Sequence, residues 1–186
     1  MFKEIIFNAT VPVKPEMLGE DKRKSLKESL KEIYEGKIVL KKYYFLKILE
    51  ILDIGEGEIF EEDPNVYYPV KAKAIVFEPM LHEVVKGEIV DVTNFGIFIR
   101  FGPIDALAHI SQITDEFLKY NKKTSTLVTE DNKKIIKIGD SAIARIIGIS
   151  LDKGDKNKIL LTLKQPGLGI VSWIKREKEK KAKDNK

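Results

Sequence analysis

Two phenylalanines and a histidine have the types and spacing that suggest chemistry. Phe95 and Phe98 stand three apart in Asn94-Phe95-Gly96-Ile97-Phe98, and His109 follows in His109-Ile110-Ser111. On a flat strand a spacing of three sends two rings to opposite faces. Gly96 between them tolerates a bulge or sharp bend, which brings both rings to one side. Ile97, Ile99 and Phe101 then alternate toward the other side as core. The product is an exposed aromatic pair with an imidazole arriving from a later segment. Every nucleobase has a π-face, so such a pair stacks bases with little regard to their identity, at about 1–3 kcal/mol per base. An isolated FGIF string is more often plain core. The glycine, the later histidine and the strands that follow favour salt-sensitive binding of single-stranded RNA.

Little else in the chain suggests catalysis. There is no phosphate-binding glycine loop, no G-x-S-x-G, no paired histidines and no pair of carboxylates placed by a recognisable motif. Glu61-Glu62-Asp63 could be forced into a metal site, but acidic turns are usually solvated. His82 and His109 lie far apart, and the chain has no cysteine, which excludes disulfides and thiolate metal sites. No catalytic residue, metal or cofactor is therefore expected. No apolar run reaches membrane-spanning length and the N-terminus shows no signal-peptide pattern, so a soluble, cytoplasmic protein without a membrane partner is expected.

Charge narrows the partner. The 186 residues carry a net +4, distributed as −2 over residues 1–80, +2 over 81–174 and +4 over 175–186. The folded part is nearly neutral, which argues against a protein that coats duplex DNA by charge alone. Lys, Glu and Ile are abundant, which is compatible with a heat-adapted source.

The elements that must position these residues follow from periodicity. Phe2 to Val13 alternates as a strand, with Pro12 arguing for an edge. Lys22 to Glu35 reads as a helix with Leu26, Leu30, Ile33 and Tyr34 on one face, Asp21 as N-cap and Gly36 as its stop. Lys37 to Ile54 is longer than an average strand and is expected to be bent or broken. Asp53 to Glu58 is a turn in which Gly55 and Gly57 permit positive φ. A short strand at Ile59-Phe60, a polar turn over 61–65 and a strand over Val66 to Phe77 complete the first 80 residues. That is an α+β layer, one main helix on an antiparallel sheet, and its other face needs a second domain or a partner chain. A boundary is expected near Glu78 to Glu83, with no flexible linker.

A β-barrel follows. Val85 to Ser111 opens it, Gln112 to Tyr120 is read as a short helix, and Asn121 to Lys134 as an extended loop or hairpin. Ile135 to Leu151 resumes the barrel, Asp152 to Lys158 is a charged hairpin turn, and Ile159 to Leu163 is its last strand. Gln165 to Gly169 stops regular structure, Trp173 packs on the domain, and Lys175 to Lys186 is a charge run, a frayed helix or disordered.

The barrel segment looks like an S1-type OB fold. Several features occur in a fixed order: the α+β N-terminal domain, Phe77-Glu78-Pro79, the opening Gly87-Glu88-Ile89, and the closing Leu161-Thr162-Leu163-Lys164-Gln165-Pro166-Gly167-Leu168-Gly169 before Trp173. Together they resemble the archaeal RNA polymerase stalk subunit family, the E′ or seventh subunit, which has a counterpart in each nuclear polymerase. The S1 motif alone is weakly specific; the QPGLG ending behind this N-terminal domain is far more so. The resemblance implies an RNP-like docking domain over 1–80, an S1/OB RNA-binding barrel over 81–174 and a basic tail over 175–186. It implies a non-catalytic polymerase subunit that aids open-complex formation, processivity and termination. Its partners would be the small helical stalk subunit (F, the fourth subunit), the polymerase core and nascent single-stranded RNA. Phe95, Phe98 and His109 match the S1 face positions, and Lys158 lies where a basic residue often precedes the last strand. Arg145 adds charge beside the face. Ser150 stands where an acidic residue is common, with Asp152 two further on. The resemblance makes Gly55, Glu56 and Gly57 the expected polymerase-docking tip. The other reading is a free-standing S1-domain RNA-binding factor of translation or RNA decay, which would use the same face without a polymerase.

Overall fold

The computed structural model describes residues 1–19, 21–130, 133–151 and 158–184. They fall into two compact units, Met1–Pro79 and a second unit beginning at Met80.

In the first unit, β1 (Phe2–Val13), α1 (Lys22–Tyr34), β2 (Ile38–Val39), β3 (Tyr43–Ile54), β4 (Glu58–Ile59) and β5 (Val66–Phe77) follow one another. The antiparallel sheet has the order β1-β5-β3-β2, with β4 added on β5. Strand β1 is an edge, as Pro12 requires, because an edge strand can spare an amide. Asp21 caps α1 by accepting from the Arg23 amide. Leu26 and Leu30 are fully buried against Val11, Ile48, Ala72, Ala74 and Val76, the inward-alternating residues of three strands. The long segment expected over Lys37 to Ile54 is broken. Leu40 and Lys41 take positive φ and turn β2 back onto β3, whose pairing with β5 carries three register shifts.

Gly55 and Gly57 are not at positive φ, which corrects the reason expected for them. A Cβ on Gly55 would lie 2.6 Å from the Pro69 ring, and one on Gly57 would lie 2.5 Å from the Tyr68 ring. Close approach to β5, not backbone handedness, demands glycine. Beyond them Tyr67 Oη donates to Asp63 at 2.6 Å, and Phe60 packs edge-on against Tyr67. The Tyr67 hydroxyl holds the Asp63 carboxyl below its usual range. This network leaves Ile59 and Phe60 75% and 51% exposed at the tip, among the exposed carboxylates Glu56, Glu58, Glu61 and Glu62.

The second unit is a barrel of β6 (Val84–Val92), β7 (Gly96–Phe101), β8 (Ile104–His109), β12 (Ser141–Ser150) and β13 (Lys158–Thr162). The order β13-β8-β7-β6-β12 closes through a further β12–β13 pairing, so no edge of this sheet is left open. Ile89, Ile97, Ile99, Ala108, Ile146 and Leu161 fill its interior. No helix forms over Gln112 to Tyr120. A 3-10 turn at Ile110–Gln112 leads instead to β9 (Leu118–Asn121), which pairs with β10 (Thr126–Thr129) and then β11 (Ile135–Ile136) in a separate three-stranded sheet. The period explains the difference: Leu118, Tyr120, Leu127, Thr129 and Ile136 alternate onto one buried or half-buried face, at period two rather than 3.6. Ile135 and Ile136 therefore belong to this sheet and not to the barrel. After the QPGLG segment, β14 (Gly169–Ile170) pairs with β12 and α2 (Val171–Asp184) begins, with Trp173 8% exposed. The charge run thus takes the helical of its two expected forms through Asp184. The charged turn expected after Leu151 lies outside the described residues.

Candidate nucleic-acid interface

Phe95 lies in the turn before β7, and Phe98 is the third residue of that strand. Their ring centroids are 6.1 Å apart at an interplanar angle of 88°. The bend that joins them is this turn and not a bulge inside the strand. The Thr93 amide and hydroxyl both donate to the Gly96 carbonyl, at 2.8 and 2.9 Å. The register shift in this pair of strands falls on β6, between Ile89 and Asp91. Gly96 pairs with His109 across β7 and β8. A Cβ there would lie 2.3 Å from the Ala108 carbonyl oxygen, so the close strand approach requires glycine.

His109 ends β8 and caps the 3-10 turn after it. Its Nδ1 accepts from the Ser111 amide at 3.2 Å and lies 2.7 Å from the Ser111 hydroxyl. An Nδ1 that accepts leaves the proton of the neutral ring on Nε2. The imidazole thereby offers one fixed donor beside the ring pair, suited to a phosphate or ribose oxygen. The Ile110 amide donates to the Phe95 carbonyl at 2.8 Å, tying the aromatic turn to the histidine segment. Phe95 is 45% exposed, Phe98 half-buried and His109 exposed, so all three reach solvent.

Three residues that sequence reasoning passed over, Leu107, Leu160 and Ser111, extend this surface. Phe98 pairs with Leu107, Leu107 with Leu160 and Leu160 with Gly148, an apolar row across β7, β8, β13 and β12 on the outside of the barrel. The signal was available: Leu107 is two residues before His109 and shares its face by the period of a strand. Ser111, which orients the imidazole, is the third addition to the site.

The remaining expected residues are placed differently. Lys158 is an exposed residue at the start of β13, opposite Ser150, and two positions before Leu160. Arg145 pairs with Thr162 and Val84, and its Nη1 lies 3.4 Å from the His82 carbonyl while its Nε is buried without a partner. Its guanidinium is turned toward the segment that leads into β6. Arg100, also on the outer face, is committed to Asp105 by two bonds of 2.7 and 2.8 Å, and that carboxylate raises its pKa further. Asp152 lies outside the described residues. Among the described residues no group of three or more His, Cys, Asp or Glu is placed to hold a metal ion.

Comparison with known proteins decides what carries this surface. Residues 78–159 match the S1 RNA binding domain, and residues 9–64 match the SHS2 domain found in the N terminus of Rpb7p/Rpc25p/MJ0397. The chain is 36% identical over 183 residues to DNA-directed RNA polymerase subunit Rpo7 of Sulfolobus acidocaldarius, covering 98% of this chain and 100% of the relative. The chain belongs to the Rpo7/RPB7 family of DNA-directed RNA polymerase subunits. Its Rpo7 relative in Saccharolobus solfataricus is 36% identical over 180 residues, across 96% of this chain and 100% of that one. The RPB7 subunit of RNA polymerase II in Saccharomyces cerevisiae is 27% identical over 148 residues, across 78% and 85%. In the Rpo7/RPB7 chain described here, the α+β first unit and the S1/OB barrel are the two matched parts.

Proposed function

We propose that this Rpo7/RPB7 chain acts as a non-catalytic stalk subunit of a DNA-directed RNA polymerase, docking through its first unit and holding emerging single-stranded RNA on its barrel. Family membership carries the polymerase role. The observation that carries the RNA role is the Phe95–Phe98 pair beside an exposed histidine whose Nδ1 accepts from the Ser111 amide. Stacking supplies sequence-tolerant affinity, the imidazole and Lys158 supply contacts to phosphate or ribose, and the apolar row through Leu107 and Leu160 gives a further base a floor. Arg145 serves the chain lead-in at His82 more directly than it serves RNA. The tip from Gly55 to Phe60 is the docking end, and the small helical stalk subunit covers apolar surface that one helix leaves open on the first unit. Such an assembly works where the polymerase works, in the cytoplasm of an archaeal cell. No described helix is long and apolar enough to cross a membrane.

A tagged copy drawn from native cell extract should bring down one small helical subunit in equal amount, with the large polymerase subunits behind it, by mass spectrometry. Recovery of ribosomal or RNA-decay proteins without polymerase would overturn the stalk role and restore the free-standing RNA-binding factor.

A further inference from the structure

The three-stranded sheet β9–β10–β11 has an inner face that is packed and an outer face that no part of the proposed role uses. Its inner face is closed: Leu118, Leu127, Thr129 and Ile136 are each 6% exposed or less. The outer face carries the cross-strand row Lys119, Val128 and Ile135. At the β9–β10 turn this face opens into a groove of about 350 Å³ lined by Lys119, Tyr120, Asn121, Lys122, Lys123 and Val128.

Three features give this groove a chemistry. Its lysines are concentrated and largely uncommitted. Among the described residues Lys119 meets only the exposed Glu130, at 3.3 Å, a pair worth little in water, and Lys122 and Lys123 form no ion pair. Three other cations of this unit differ: Arg100, Lys134 and Lys164 are paired with Asp105, Glu116 and Asp115 at 2.6–2.7 Å. The turn is held in shape. Asn121 Oδ1 accepts from the Lys123 amide at 3.0 Å, the hydroxyls of Thr124 and Thr126 lie 2.8 Å apart, and Ser125 takes positive φ. A fixed turn loses less entropy on binding than a free tail. Finally, an aromatic ring stands exposed at the entry to the hairpin: Phe117, which precedes β9, is 65% exposed. Ammonium groups for phosphates with rings for bases is the pattern of a single-strand channel.

We propose that this hairpin groove is a second contact site on the chain, binding the phosphate backbone of single-stranded RNA through Lys119, Lys122 and Lys123. The inference rests on the RNA-binding reading of the barrel and extends it. The hairpin follows His109 in the sequence through the 3-10 turn, and it adds a charge-reading contact to the stacking face. The site reads charge and not sequence.

The test is fluorescence anisotropy of the full chain with a 24-nucleotide uridine oligomer across a salt series. A K119Q/K122Q/K123Q variant is compared with wild type and with F95A/F98A, and circular dichroism checks that each is folded. Each phosphate contact on a single strand contributes about 0.7 to the slope of log affinity against log salt, so the lysine variant should lose about 2 from that slope. Affinity at 0.1 M salt should fall roughly 10- to 100-fold. The corresponding triple arginine variant should keep the wild-type slope, and F95A/F98A should weaken binding with the slope unchanged. A lysine variant equal to wild type in slope and affinity, while F95A/F98A is impaired, overturns the groove and leaves the aromatic face standing. A wild-type chain with no salt-dependent RNA binding overturns both. Unaltered RNA binding with loss of the small partner subunit would assign the groove to a protein and overturn the inference.

Discussion

Phe98 is the residue on which the proposed RNA face depends most, because it is the common member of two sets. It is edge-on to Phe95, and it begins the apolar row through Leu107 and Leu160. Truncating it should remove a stacked base and the ring that positions Phe95, at a cost of about 1–3 kcal/mol, or roughly 5- to 150-fold in affinity. His109→Ala removes one donor and should cost less, with a larger effect on phosphate-rich ligands than on free bases. Neither change leaves a hole in the barrel, since its interior is filled from the opposite face, so thermal midpoints should stay near wild type. The measurement is oligonucleotide titration of folded variants; wild-type affinity in both would place the binding surface elsewhere. At this scale much was legible. The pairing of Phe95 with Phe98 followed from their spacing around Gly96. What Gly96 avoids did not, because the 2.3 Å approach of the Ala108 carbonyl belongs to β8, a strand away in sequence and adjacent only after folding. The fixed tautomer of His109 depends likewise on where the Ser111 amide points.

Elements show a different division. Strands β1 and β5 and helix α1 were readable because each shows one period over twelve residues or more, with a cap or a stop at its end. The sheet β9–β10–β11 was not, since strands of two to four residues give too short a pattern to separate period two from 3.6. The fastening of the first unit was also hidden, because it joins residues far apart in sequence. Glu78, 8% exposed, receives Lys3 at 2.6 Å from the start of β1 and Lys42 at 3.1 Å from the β2–β3 turn. The Lys3 hydrogen bond, with Lys42 behind it, holds the Glu78 carboxyl below its ordinary range against the opposing effect of burial. A carboxyl whose pKa is depressed on folding stabilises the fold above its unfolded value of about 4.3, and that contribution is lost as pH falls through the folded value. Glu78→Gln should therefore lower the thermal midpoint at neutral pH. The loss is no more than about 1 kcal/mol, because both lysines stand largely in solvent. The gap from wild type should close as the buffer is taken below pH 4. Equal midpoints at pH 7, measured by circular dichroism, would show that the two lysines do not fasten the unit through this carboxylate.

For the whole molecule, the decisive question is whether the end of the first unit is what joins it to the polymerase. Its composition was legible as a glycine turn followed by acidic residues; its shape was not, because the turn is moulded on Tyr68 and Pro69 of β5. The structure presents Ile59 of the short β4 strand and Phe60 just after it outward, beside the Tyr67–Asp63 bond and among carboxylates. Phe60 packs on Tyr67, but Ile59 and the outer part of the Phe60 ring project among charges beyond the core of the unit. Gly57→Val tests the tip without touching it directly. The new Cβ would stand 2.5 Å from the Tyr68 ring and 2.9 Å from a Val66 methyl, so the turn must move and carry β4 with it. The core of Leu26, Leu30, Ile48 and Val76 lies on the helix-covered face and does not depend on that turn, so the free chain should keep its circular dichroism spectrum and melt within a few degrees of wild type. Recovery of the large polymerase subunits with the tagged variant should drop severalfold, while RNA affinity on the barrel stays at the wild-type level. Full incorporation of a folded Gly57→Val chain would separate polymerase binding from this end of the molecule and move the search to the sheet face that α1 leaves uncovered.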